Sequence, residues 1–373
     1  MKNSQTYIYF DPTNFGEAPN STFALIAHNT GDTTKTLDFN TIFNPQNQST
    51  CEKPGVIGNF GINSTLLQVD STKLTLVGPN SLMGLLVAIY EFPYNCNETD
   101  AYLAAGNIIS KCVIGYANSI GNVPGVLSGY ITRGAPNGAI KEMGPVGIVH
   151  KAICNFIQND AVAPEGSNIT GSLYFETDAS RVVTYVYGQI YGFNGSAHGL
   201  HIHTYGDISS TNSLGVHWKL PAKQEHSLPP QMVRDYGDLG NVQQYQNDIA
   251  YYKYCTNYFP SNDTVNYIGR SVGLKEYQDL GDKAAKSFGL TMASCVIGYL
   301  DPDTPRPFEV PSSITLPPDV TSCYPEPTPE PSQPQSSESS DSDGISTASH
   351  ISSTNPIFIV LSFTTIILSF LFL

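Results

Sequence analysis

Five of the eight histidines, His198, His201, His203, His217 and His226, fall within 29 residues, and Asp235 and Asp238 follow in RDYGDLGN. Imidazole nitrogens with nearby carboxylates are the ligand set of Zn²⁺ and Cu²⁺. One histidine alone is usually an ordinary surface or core residue; this density instead marks metal chemistry. A zinc hydrolase is disfavoured, because no Glu follows the paired histidines as a general base.

The elements that must position these groups can be read locally. RVVTYVYGQIYGF precedes HGLHIHTYGD, and its aromatic and β-branched alternation predicts a strand. Residues i and i+2 of a strand share a face, so His201 and His203 present two imidazoles to one ion. His217, His226, Asp235 and Asp238 lie in a Pro- and Gly-rich stretch that predicts a loop folding back over that strand.

HGLHIHTYGD, LGVH, His226 and RDYGDLGN resemble the copper/zinc superoxide dismutases, as do KAICNF, GSLYFE, IGRSVG and CVIGY. The resemblance covers one full family domain and implies a Greek-key β-barrel. It implies copper held by His201, His203 and His217, and zinc held by His217, His226, Asp235 and Asp238, Asp235 standing where the family has a histidine. His217 would be the bridging imidazole and the proton donor to departing peroxide, and Asp279 the carboxylate that ties the two metal sites together.

The sequence departs from the family at four further positions. The last copper histidine aligns with Lys275, and a protonated lysine is no ligand. The arginine beside copper aligns with Thr291, and the family's disulfide partners with Thr211 and Ser294. Lys283 and Lys286 are candidates for local positive potential, read against an ordinary solvated face.

At 373 residues with 13% charged residues, and with no long amphipathic helical pattern, the chain reads as all-β with two or three domains. A net charge of −14 argues against nucleic acid as a partner and leaves the steering of superoxide, an anion, to local charge. Seven sequons, at Asn20, Asn47, Asn63, Asn97, Asn168, Asn194 and Asn262, predict a secreted glycoprotein. Seven cysteines predict disulfides of open connectivity and at least one thiol unpaired within the chain.

An uncharged apolar tail over residues 357–373 follows a polar spacer and small residues near Ser342 and Gly344, the pattern of a glycolipid (GPI) anchor signal at the cell surface. A tail-anchored helix is the alternative. No apolar signal stands at MKNSQTYIYFDPTNF.

Residues 1–119 echo the later part: YIYFDP against SLYFET, AHNTGD against IHTYGD, IGN against LGN, and KCVIGY against SCVIGY. In this copy His28 matches His203, but Ile26, Ile42 and Tyr90 stand for His201, His217 and Lys275, so it is expected to be metal-free. The echo predicts a first strand lost and an incomplete start. Two tandem Greek-key β-barrel or sandwich domains result, 1–119 degenerate and 151–301 metal-binding, joined by a Gly/Pro linker at 120–150. A disordered Pro/Ser/Glu stalk spans 302–356. The expected activity is conversion of superoxide to oxygen and hydrogen peroxide at an anchored cell-surface protein. The alternative is a weakened or inactive metal-binding or adhesion module that keeps the barrel. The sequence assigns no oligomeric state.

Overall fold

The computed structural model describes residues 22–116 and 150–314, together with 6–9 and 371–372. It breaks at 49–50, 62–65, 70–72, 75–80, 99, 179–182, 194–196, 220–224, 232, 247, 260–266, 283–287 and 312. The linker up to residue 149, Lys283, Lys286, Asn20, Asn63, Asn194, Asn262, Ser342, Gly344 and the tail from 357 to 370 lie outside the described residues.

Residues 150–300 form a closed antiparallel barrel. The first strand runs as His150–Asn155 and then Ile157–Gln158, and the last as Thr291–Val296 and then Gly298–Leu300. Gly298–Leu300 pairs with His150–Asn155 while Thr291–Val296 pairs with Ile157–Gln158, which joins the two edges of the sheet. Closure removes the open edges that invite aggregation. Going round from the first strand, the neighbours are Thr170–Thr177, Thr184–Tyr191, Ile249–Thr256, Asp238–Gln246, Ala197–His203 and Ser271–Lys275. This non-sequential order is a Greek key.

Alternation fills the interior: Ala250, Tyr252 and Tyr254 turn inward from Ile249–Thr256, as do Leu173, Phe175, Val186, Ile190, Leu200, Ile202, Val272 and Leu274 from their strands. Cys154 and Cys295, both in this core, form a disulfide between the first and last strands. A second disulfide joins Cys51 to Cys96, Cys255 is also oxidised, and Cys112 is a free thiol.

The N-terminal part has a four-stranded sheet ordered Val56–Gly61, Thr22–His28, Leu86–Tyr90, Ile108–Val113. Its register runs parallel to that of the barrel. His28 bridges Ile42 as His203 bridges His217, Ile26 faces Val56 as His201 faces Asp238, and Val87 faces Cys112 as Val272 faces Cys295. One detail of the sequence echo needs correcting. Thr6–Tyr9 pairs with Leu66–Val69, as Thr184–Tyr191 pairs with Ile249–Thr256, so the counterpart of this TYIY strand is TYVY rather than SLYF. Tyr- and β-branched-rich strands share one composition, and only pairing distinguishes them.

The segment after residue 301 does not leave the barrel at once, as a stalk from 302 would. Lys151 Nζ donates to the Thr304 carbonyl, and Arg306 donates to Glu176 Oε2 at 2.9 and 2.6 Å. Phe308 packs edge-on against Tyr174, Tyr187 and Tyr251. One cation and one aromatic in a Pro-rich stretch suffice to strap it to a tyrosine-covered sheet face.

Candidate metal centre

Leu200 and Ile202 point into the barrel core, so alternation sends His201 and His203 to the outer face of their strand. A bulge between Gly199 and His201 adjusts the register there. The loop after His203 folds back over this face through backbone bonds from Thr204 N to Val216 O and from Trp218 N to Ile202 O, at 2.9 and 2.8 Å. It returns at Asp238, beside His201 in the next strand.

The fold thereby gathers His201, His217, His226 and Asp238, all buried, with one ligand atom of each lying within 4.8 Å of the others. The His217 ring stacks on His201 at 4.1 Å and meets His203 edge-on at 5.2 Å. Asp238 Oδ1 accepts from His217 Nδ1 at 2.8 Å and His226 Nδ1 at 3.0 Å, while its Oδ2 accepts from the Ser227 and Asp235 amides. Asp279 spans the cluster: Oδ2 accepts from His201 Nε2 at 2.8 Å and Oδ1 from His226 Nε2 at 2.9 Å.

The donor set leaves lone pairs to spare. His201 is held at Nε2 by Asp279 and His203 at Nδ1 by the Gly215 carbonyl, yet His201 Nδ1 and His203 Nε2 are buried with no hydrogen-bond partner. Asp235 Oδ1 is likewise buried and unpartnered. A buried polar atom without a partner costs about 1–3 kcal/mol, and a carboxylate or carbonyl fixing the far nitrogen is how proteins aim an imidazole at a metal. These residues fit metal ions.

Charges in the cluster follow from burial and pairing. Burial holds His201 down to about 3 and depresses His203 and His217, so all three are neutral and ready to ligate. Burial opposes protonation of His226, but Asp238 and Asp279 outweigh it and raise the ring to about 10. Burial and then Asp238 push Asp235 up to about 6.

Lys275 and Thr291 meet beside this cluster. Lys275 Nζ donates to Thr291 Oγ1 at 2.8 Å in a buried setting, and burial lowers the ammonium to about 8. His198 turns away from the cluster, its Nδ1 donating to the Lys275 carbonyl and its ring edge-on to Phe193. Phe288 was not singled out in the sequence. Its ring lies 4.6, 5.3 and 5.4 Å from those of His201, His217 and His226, and the Lys275 ammonium sits 5.3 Å from its centroid. Nothing in the spacing of SFGL marks it.

In the N-terminal sheet the matching histidine is fully engaged. His28 Nδ1 pairs with Thr41 Oγ1 and Nε2 with Tyr90 Oη, each at 2.9 Å, and burial lowers its pKa to about 4. Tyr90 in turn bonds to Tyr102 at 2.6 Å. Tyrosine hydroxyls here satisfy the nitrogen that its counterpart, His203, leaves open.

Comparison with known proteins agrees with this geometry. Residues 169–297 match the sequence family of copper/zinc superoxide dismutases. Extracellular copper-zinc superoxide dismutases 2 and 3 of Dictyostelium discoideum are 30% and 29% identical over 250 and 262 residues, or 64% and 65% of this chain. The matches span 56% and 60% of those two relatives. Copper-zinc superoxide dismutase 4 of the same organism is 32% identical over 155 residues, 40% of this chain and 97% of that protein. With the barrel closed in Greek-key order and the histidine and aspartate cluster on its outer face, the chain belongs to the copper/zinc superoxide dismutase family.

Proposed function

We propose that this protein is an extracellular, cell-surface superoxide dismutase in which two superoxide anions and two protons become one O₂ and one H₂O₂. The observation that carries this reading is the pair of buried, unpartnered nitrogens, His201 Nδ1 and His203 Nε2, with their far nitrogens tied to Asp279 and Gly215. His201, His203 and His217 would hold copper, and His217, His226, Asp235 and Asp238 would hold zinc. Bound copper supplies one-electron exchange and bound zinc a fixed positive charge.

The chain's own groups set the conditions. Burial keeps His201, His203 and His217 neutral, so their lone pairs stay available. Asp279 fixes two rings at once, which couples the copper side to the zinc side. Phe288 covers the imidazoles and limits water around them. Lys275, beside Phe288 at the edge of the cluster, is a cation that can attract the anion.

The finer localisation rests on sequence. A glycolipid anchor attached near Ser342 or Gly344 would hold the protein at the outer membrane face. Glycans would sit on the sequons, of which Asn47, Asn97 and Asn168 are exposed. The names of the Dictyostelium relatives support an extracellular setting.

The Lys275–Thr291 pair favours a second reading, a metal-binding module of weak or no dismutase activity. One experiment separates them: load the purified protein with copper and zinc, verify metal content, and follow superoxide decay. Accelerated decay that His203→Ala removes supports the enzyme; full loading without acceleration supports the second reading.

A further inference from the structure

Among the described residues, four backbone hydrogen bonds join the N-terminal unit to the barrel, and they come in matched pairs. Gly31 N donates to Tyr299 O at 2.5 Å and Gly206 N to Tyr116 O at 2.8 Å; Tyr299 N donates to Gly84 O at 2.7 Å and Tyr116 N to Gly269 O at 2.9 Å. The strand registers make these residues counterparts. His28 faces Leu86 as His203 faces Ser271, and Leu86 faces Val113 as Ser271 faces Val296. Counting on from these pairs, Gly31 corresponds to Gly206, Gly84 to Gly269, and Gly115–Tyr116 to Gly298–Tyr299. Exchanging every residue for its counterpart turns each bond into the other bond of its pair.

Packing obeys the same exchange. A Cβ on Gly31 would sit 2.4 Å from the Gly298 Cα, and one on Gly115 would sit 2.9 Å from the Gly206 Cα. A Cβ on Gly84 would meet Ile268 at 2.4 Å, and one on Gly269 would meet its counterpart Met83 at 2.6 Å. At Gly31 and Gly115 the backbones themselves approach so closely that only glycine fits, and Gly84 and Gly269 also sit at positive φ.

An interface that maps onto itself on exchange of its halves is isologous, and each half is then self-complementary. The barrel face made by Gly206, Ile268–Gly269 and Gly298–Tyr299 thus holds the donors and acceptors that a second copy of itself, turned half round, would need. We propose that the N-terminal unit is a built-in partner: a metal-free copy that occupies the self-pairing face of the metal-binding barrel, so that the chain is a monomer with one metal centre in a two-unit assembly. The capped face also braces the metal loop, since Tyr205, next to Gly206, accepts from the Ser271 amide and donates to the Leu214 carbonyl on the path from His203 to His217.

Sedimentation velocity of the full chain tests this. The wild-type protein should sediment with the mass of one chain over a wide concentration range. Gly31→Val with Gly115→Val alters the N-terminal unit alone and frees the barrel face, so the mass should double as concentration rises. Adding Gly206→Val should return it to one chain. Hydrogen exchange should show the Gly206 and Tyr299 amides protected in the wild type, unprotected in the dilute double variant and protected again in its dimer. Misfolding of the N-terminal unit in that variant leaves the same expectation, because the barrel face is still uncovered. A wild-type dimer that Gly206→Val dissociates would overturn the proposal, as would a double variant that stays monomeric at high concentration.

Discussion

Lys275 Nζ donates to Thr291 Oγ1 at 2.8 Å inside the barrel wall, where burial brings the lysine to about 8. In an unfolded chain lysine titrates near 10.4. Below pH 8 the ammonium is charged in both states and its burial opposes folding; between about pH 8 and 10 the folded state loses the proton first, so stability rises with pH. Lys275→Met should therefore stabilise the metal-free protein at pH 7 by roughly 1–2 kcal/mol, after loss of the hydrogen bond to Thr291. It should also remove the alkaline rise. Urea midpoints across pH 6–10 check this, and an unchanged slope would show that Lys275 is solvated.

Zinc should raise the melting temperature by binding only the folded state. His226, charged near neutrality between Asp238 and Asp279, must give up its proton to ligate. Calorimetry in buffers of different ionisation enthalpy should therefore find about one proton released per zinc at pH 7. Asp238→Asn should abolish the stabilisation.

Copper should quench the fluorescence of Trp218, the single tryptophan, which is buried and adjacent to His217. The double change His201→Ala with His203→Ala should remove the quenching, whereas His198→Ala should leave it intact because that ring faces Phe193.

Asp279→Ala should weaken both metals together, by about 10–100-fold each, because it releases His201 and His226 at once. Equilibrium dialysis measures this, and loss of one metal alone would show that the carboxylate serves one site.

The copper-loaded protein should run at least ~10-fold below the diffusional ceiling, since local steering alone is worth that much. Stopped-flow superoxide decay against ionic strength is the measurement, and Thr291→Arg should raise the rate at low salt.

Much of the centre was legible because it is local. Period-two alternation fixed the shared face of His201 and His203, and the density of ligand types marked the loop. What stayed hidden depends on pairing between distant strands. The family resemblance names Asp279, but its reach to His201 and His226 follows only from Ser271–Lys275 lying beside Ala197–His203, and Phe288, which no resemblance marks, lands on the imidazoles by way of an unremarkable turn. The disulfide of Cys154 and Cys295 spans 141 residues and has no sequence signature. The tyrosine-rich strand at the N-terminus was matched to the wrong counterpart for the same reason: its composition is shared, and its neighbour is not.

The strap formed by Arg306 and Phe308 has a mechanical consequence. Tension applied to residues 309–311 meets the Glu176 ion pair and the Tyr174, Tyr187 and Tyr251 rings before it reaches Gly298–Leu300. Those rings belong to strands away from Ala197–His203 and Ser271–Lys275 in the barrel order. A load on this segment is therefore borne on the far side of the barrel from the metal cluster, and peeling the strap leaves the histidines undisturbed.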